Sequence, residues 1–207
     1  MPNKNSDRSI RRKTLTEIQC GKVEVGPFGN TLKLSKDTPC NANRMHKITL
    51  TNNDTNSIYF EVHLLRLPNS ATAAFGVILD NSKYANPDGA NTLPGWEKET
   101  IGLHTDDGGV YLGTSEAPFA SVPRTFKEGD VVGIGHLPDV GFYIMCNGSR
   151  IWRETTPPQG PKTSLFPSSN AETANRDIST AIIGLDNKNT ILTLNMTAVH
   201  PVKAARQ

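Results

Sequence analysis

The residues with the most chemical potential are His104, Asp106 and Asp107, in the run His104-Thr105-Asp106-Asp107-Gly108-Gly109. An imidazole and two carboxylates this close are a donor set for a divalent ion or for general acid–base work. The same run is also turn chemistry, because Asp side chains bond local backbone and Gly108 and Gly109 are free to take positive φ. A structural turn is the expectation, with no metal and no catalytic residue. Gly133-x-Gly135 has no third glycine at the dinucleotide spacing and no helix after it, so it reads as strand glycine rather than a phosphate loop. The patterns G-x-S-x-G, H-E-x-x-H and the P-loop do not occur in the chain, so the local signatures of a nucleophile, a zinc site or a phosphate site are missing. The chain does not read as an enzyme, and neither a cofactor nor a small-molecule substrate is expected. Cys20, Cys40 and Cys146 show no metal-type spacing and are too few for a disulfide framework, so they read as free thiols in a reducing compartment.

Short β-branched and aromatic runs separated by Gly, Pro, Asn and Asp must position these residues, and they begin at about Gly21. Strands are expected at Tyr59 to Leu65, Ala73 to Leu79, Ile101 to Leu103, Val110 to Leu112, Ile178 to Leu185 and Ile191 to Met196. The clearest hairpin is Gly141 to Cys146, then Asn147-Gly148, then Ser149 to Trp152, since Asn-Gly between alternating runs suits a type I′ turn. The period of two places Phe142, Ile144 and Cys146 on one face and Tyr143 and Met145 on the other. At least one face must pack on a second sheet, which makes an all-β, two-layer antiparallel β-sandwich the expected fold. Trp96 and Trp152 are expected as half-buried packing aromatics within it.

The chain has 207 residues, with 36% apolar and 20% charged, enough to bury a core and too ordinary for a fibrous or disordered chain. No apolar run is long enough for a membrane span or a secretory signal, so an intracellular, cytoplasmic chain without membrane association is expected. Sequons at Asn53, Asn147 and Asn195 are read as chance on the same ground. The net charge of +2 hides an uneven distribution. Residues 1 to 18 form a basic tail holding Lys4, Arg8, Arg11, Arg12 and Lys13, whereas the body is slightly acidic. The tail reads as a solvated terminus, an anchor to an acidic polymer such as RNA or tubulin, or a basophilic kinase site at Thr14. A single domain over residues 19 to 203 is expected, with a long polar loop at 154 to 177 and a short end at 204 to 207.

Leu93-Pro94-Gly95-Trp96-Glu97, followed by Ile101-Gly102-Leu103-His104-Thr105-Asp106-Asp107-Gly108, resembles the signature of the SPRY domain family. Tyr59-Phe60-Glu61-Val62, Phe126-Lys127-Glu128-Gly129-Asp130-Val131-Val132-Gly133 and Ala181-Ile182-Ile183-Gly184-Leu185 resemble further strands of that family in the same order. The resemblance covers roughly residues 28 to 200, and the variety it most resembles is the one found in Ran-binding protein M. Leu103, where the family has Tyr, Thr105 and Cys146 depart from the pattern. The resemblance implies a SPRY/concanavalin-like jelly roll and makes Trp96, His104, Asp106, Asp107 and Gly108 a structural signature.

It also implies a protein–protein interaction module that binds a protein or peptide through loops. By position these loops are Lys36, Asp37 and Thr38; Asn81 to Asp88, with Tyr84 as the aromatic and Ala85 beside it; and the turn Asp186, Asn187, Lys188 and Asn189. Tyr84 is the favoured anchor because Tyr offers large contact area at small entropic cost. The alternative is a permanent structural subunit of a large RNA–protein or cytoskeletal assembly, held by the tail and the 154 to 177 loop.

Overall fold

The computed structural model describes residues 58–69, 71–79, 93–113, 117–137, 140–154, 180–186 and 189–195 in full, and 15–19, 23–24, 31–33 and 44–50 as backbone strands. Thr14, Lys36 to Thr38, Asn81 to Asp88 with Tyr84 and Ala85, Asn187, Lys188 and the 155–177 part of the long loop lie outside the described residues.

The described strands are β1 (Leu15–Gln19), β2 (Val23–Glu24), β3 (Thr31–Lys33), β4 (Arg44–Leu50), β5 (Ile58–Arg66), β6 (Ala73–Ile78), β7 (Thr100–His104), β8 (Gly109–Leu112), β9 (Ala120–Ser121), β10 (Val131–Leu137), β11 (Gly141–Cys146), β12 (Ser149–Arg153), β13 (Thr180–Leu185) and β14 (Ile191–Asn195). They form two antiparallel seven-stranded sheets. The first runs β1-β4-β13-β6-β7-β8-β9 and the second β12-β11-β10-β5-β14-β3-β2. The expected all-β sandwich is therefore the fold. β1 starts inside the stretch read as tail and pairs with β4, Ile18 opposite Ile48.

Alternation sets the core. Phe60, Val62 and Leu64 of β5, Val132 and Ile134 of β10, and Phe142, Ile144 and Cys146 of β11 face Phe75, Val77, Ile101, Leu103 and Ile183 of the other sheet in one buried cluster. Tyr143 and Met145 take the opposite face with Tyr59 and Leu137, as the period of two requires. Trp152 is half-buried against this core, its ring 6.1 Å from that of Phe142. Asn147 and Gly148 have φ of 50° and 78°, the paired left-handed geometry of a type I′ turn.

Each sheet also buries part of its outer face, and strand glycines make the room. On β10, a Cβ at Gly133 would come within 2.5 Å of the Tyr59 hydroxyl, and one at Gly135 would enter the Tyr143 ring. The two rings stack with centroids 6.2 Å apart. The Gly133-x-Gly135 pattern is therefore a seat for two tyrosines. Across the other sheet lies the segment Leu93-Pro94-Gly95-Trp96. A Cβ at Gly184 would meet Leu93 Cδ2 and Pro94 Cδ at 2.6 Å, and one at Gly102 would meet Pro94 Cβ at 2.6 Å. Leu93 to Trp96 can lie on this face only because the strands beneath it carry no side chain there.

Candidate binding surface

Strand register gathers one set of connections at a single end of the sandwich. Leu185 pairs with Ala73 and with Arg44, and Ala74 pairs with His104. Ile191 pairs with Arg66 and with Lys33. Val131 pairs with His63, and Val132 with Cys146. The β5–β6 connection, the β7–β8 turn, the β9–β10 connection, the β11–β12 turn and the β13–β14 turn thus share this end. The strands flanking the β3–β4 connection, which holds Lys36 to Thr38, end and begin there too. β6 reaches Ile78 at the other end, and from there the chain continues toward Tyr84.

The signature residues occupy the β7–β8 turn and the face beneath Leu93 to Trp96. His104 is buried, and its Nε2–H donates to the Pro94 carbonyl at 2.8 Å. Its ring lies 4.7 Å from Trp96 and 4.3 Å from Tyr111. Burial holds the imidazole below its usual pKa, against the pull of the Pro94 carbonyl and of Asp106, Asp107 and Asp186. Asp107 accepts from the Gly109 N–H and the Tyr111 hydroxyl, both at 2.6 Å. The Tyr111 hydroxyl is pushed up to about 12, by burial first and then by Asp107. Gly108 has φ of 69°, as the turn reading expects. Gly109 does not take positive φ. It opens β8 and is glycine for space, since a Cβ there would stand 2.6 Å from the Tyr111 ring and 2.9 Å from Asp107 Oδ1. The imidazole and the Asp107 carboxylate thus bond to different groups, the one to the Pro94 carbonyl and the other to the Gly109 N–H and the Tyr111 hydroxyl. Among the described residues no three His, Cys, Asp or Glu side chains converge as metal ligands.

Asp186 starts the β13–β14 turn and clamps the β5–β6 connection, with Oδ1 accepting from the Thr72 N–H at 2.7 Å. Burial raises its pKa, and the neighbouring Asp106 raises it further. Asn189 is exposed on the same turn.

Sequence reasoning missed the lock behind these loops. Asp130, 2% exposed, accepts from Arg124 Nη2 at 2.9 Å, Asn147 Nδ2 at 2.8 Å and the Lys127 N–H at 3.1 Å. Burial alone would raise its pKa, but the donors from Asn147, Lys127 and Arg124 outweigh it and hold it low. Asn147 Oδ1 accepts in turn from the Val131 N–H. The signal in the sequence is the run Phe126 to Gly133, which resembles a family strand without marking its acid as a lock.

Sequence reasoning also missed a groove of about 520 Å³ between three of the connections. Its floor is Leu67, Pro68, Ala71 and Phe126, and its rim carries Asp106, Lys127 and Glu128. The Leu67 N–H donates to Glu128 Oε1 at 3.1 Å, and Thr105 Oγ1 accepts from the Ala73 N–H at 3.0 Å, so the walls are tied together. Groove residues from three separate connections leave no contiguous sequence signal.

No protein-family model matches the chain. No curated protein matches it either. Among solved structures, a human SPRY domain is similar at 21% identity and a TM-score of 0.56, over 90% of this chain and 99% of that one. The Emp46p carbohydrate recognition domain, in its potassium-bound form, is similar at 14% identity and a TM-score of 0.40, over 76% of this chain and 81% of that one. Among the described residues no helix is long and apolar enough to cross a membrane. Two antiparallel sheets in this order, and the likeness to the human domain, make the fold a SPRY-like β-sandwich.

Proposed function

We propose that the chain is a non-catalytic interaction module that recognises a short peptide or protein surface with the connections at one end of its sandwich. The observation behind this reading is the convergence of the β5–β6, β7–β8, β9–β10 and β13–β14 connections at one end, the first three around an open groove, on a hydrogen-bonded scaffold. A rigid sandwich that gathers its connections at one end suits recognition, because little order has to be created on binding. We assign the SPRY variety to that of Ran-binding protein M from the motifs around Trp96 and Asp130. Lys36 to Thr38 and Asp186 to Asn189 are the proposed contact loops at this end, and Tyr84 with Ala85, in the β6–β7 connection that leaves the sheet at the other end, is proposed as a separate contact. The basic tail is a separate contact for an acidic polymer, RNA or tubulin, with Thr14 as its phosphorylation point. The setting is intracellular.

The test is affinity capture from the native cell with the intact chain, a Tyr84→Ala variant, and a variant lacking residues 1–14, which leaves β1 in place. Partners retained without the tail but lost with Tyr84→Ala support recognition through the β6–β7 connection, and partners that survive both changes support recognition through the connections at the other end. Capture of one large assembly that depends on the tail and not on Tyr84 replaces this reading with that of a permanent structural subunit.

A further inference from the structure

We propose that the groove between the β5–β6, β7–β8 and β9–β10 connections takes a short basic peptide. One Arg or Lys side chain pairs with Asp106, and an adjacent apolar side chain lies on Leu67, Pro68 and Phe126. The proposal rests on the reading of the chain as a peptide-recognition module and names a site and a ligand class within it.

The groove's size, about 520 Å³, falls in the range that encloses a few side chains. Its apolar surface is offered by the half-buried Leu67 and Pro68, which are backed by the buried Phe126 and Ala71 and so held in place. The rim sets the ligand's charge. Asp106 is exposed, and among the described residues its carboxylate has no hydrogen-bond or ion-pair partner. Asp107 follows it in the turn, and Asp186 lies near enough for the Asp106 carboxylate to raise its pKa. Glu128 adds a third exposed acid on the facing wall, while Lys127 is the cation among the described lining residues. The field around Asp106 therefore favours a cation, and an acidic ligand would meet more repulsion than attraction.

The site is also preorganised. Leu67 is tied to Glu128, Gly129 donates to the Leu64 carbonyl at 2.7 Å, and Thr105 donates to the Ala73 carbonyl at 3.0 Å. The three walls thus hold their spacing without a ligand, which lowers the cost of ordering on binding.

A positional-scanning library of capped hexapeptides, screened by fluorescence anisotropy against the full chain, tests the proposal. The best hexapeptide is then titrated into the wild type, Asp106→Asn and Lys127→Glu, and amide shifts are mapped by NMR. The expected result is selection of Arg or Lys beside an apolar residue, with amide shifts at Leu67, Asn69, Ala71, Thr105, Asp106 and residues 125–128. Asp106→Asn should weaken binding about tenfold, the scale of one charge-assisted contact, without changing the melting temperature. Lys127→Glu should strengthen it. Selection without a basic preference, affinity unaltered in Asp106→Asn, or shifts elsewhere overturns the groove assignment and leaves loop recognition standing. A library that yields no binder removes the groove proposal, and the Tyr84 experiment alone then decides the wider reading.

Discussion

The imidazole of His104 donates through Nε2–H to the carbonyl of Pro94 at 2.8 Å, and the bond fixes the segment Leu93 to Trp96 on the outer face of its sheet. The ring must be neutral at its other nitrogen to remain comfortable there, because burial opposes a second proton. Asp106, Asp107 and Asp186 pull the other way, and burial is the larger effect. The folded pKa therefore lies below the ordinary value of 6.5 that the unfolded chain shows. The stability linked to His104 is fully present above pH 6.5 and is lost as pH falls through the folded value. Wild type should melt at a lower temperature at about pH 5.5 than at about pH 7.5. His104→Gln keeps a donor for Pro94 and should flatten that slope. Trp96 emission reports locally, since an imidazolium 4.7 Å from the indole should quench it in the wild type alone.

Glycines beneath the Leu93 to Trp96 segment should resist substitution in a way that turn glycines do not. A Cβ on Gly102 would stand 2.5 Å from the Pro94 carbonyl carbon, and that backbone cannot move without releasing the bond from His104. Gly102→Ala is expected to cost about 2–3 kcal/mol, the scale of overpacking in a closed site, and to shift Trp96 emission to the red. Gly148 has φ of 78° but open space around it, so Gly148→Ala should cost only about 1 kcal/mol of left-handed strain. Urea unfolding of the two variants gives the comparison. Equal costs would mean that the roof over Gly102 yields readily.

The strands were legible because their faces obey a period of two. Phe142, Ile144 and Cys146 fell on the core face and Asn147-Gly148 closed the hairpin, both from local pattern alone. The joining of sheets into an end surface was not legible, since Ala71, Thr105 and Phe126 meet only through register between strands far apart in sequence. Gly109 shows the same limit at one residue. Turn propensity suggested positive φ, whereas its position under Tyr111 is a matter of space that only the packed structure reveals. Asp130 was passed over because a single acid after glycine carries no local sign that Asn147 and Arg124 will close on it.

Asp130 and Asn147 make the strongest pH prediction at low pH. Asn147 donates through Nδ2 to Asp130 Oδ1 at 2.8 Å, so Asn147→Asp replaces a donor with a second carboxylate at hydrogen-bond distance. At pH 7 that variant should lose about 2 kcal/mol, from the missing bond and the repulsion between two acids. In the wild type the folded pKa of Asp130 lies below 3.8, so its contribution is present above pH 3.8 and fades as pH falls through the folded value. The two proteins should therefore respond to acid in opposite senses. Between pH 7 and about pH 3.5 the gap between them should narrow, because protonating one carboxyl of the variant restores an O–H donor between the two groups. Urea midpoints at the two pH values check this. A gap that stays constant would show that the 2.8 Å contact contributes nothing to holding the β11–β12 turn against the β9–β10 connection.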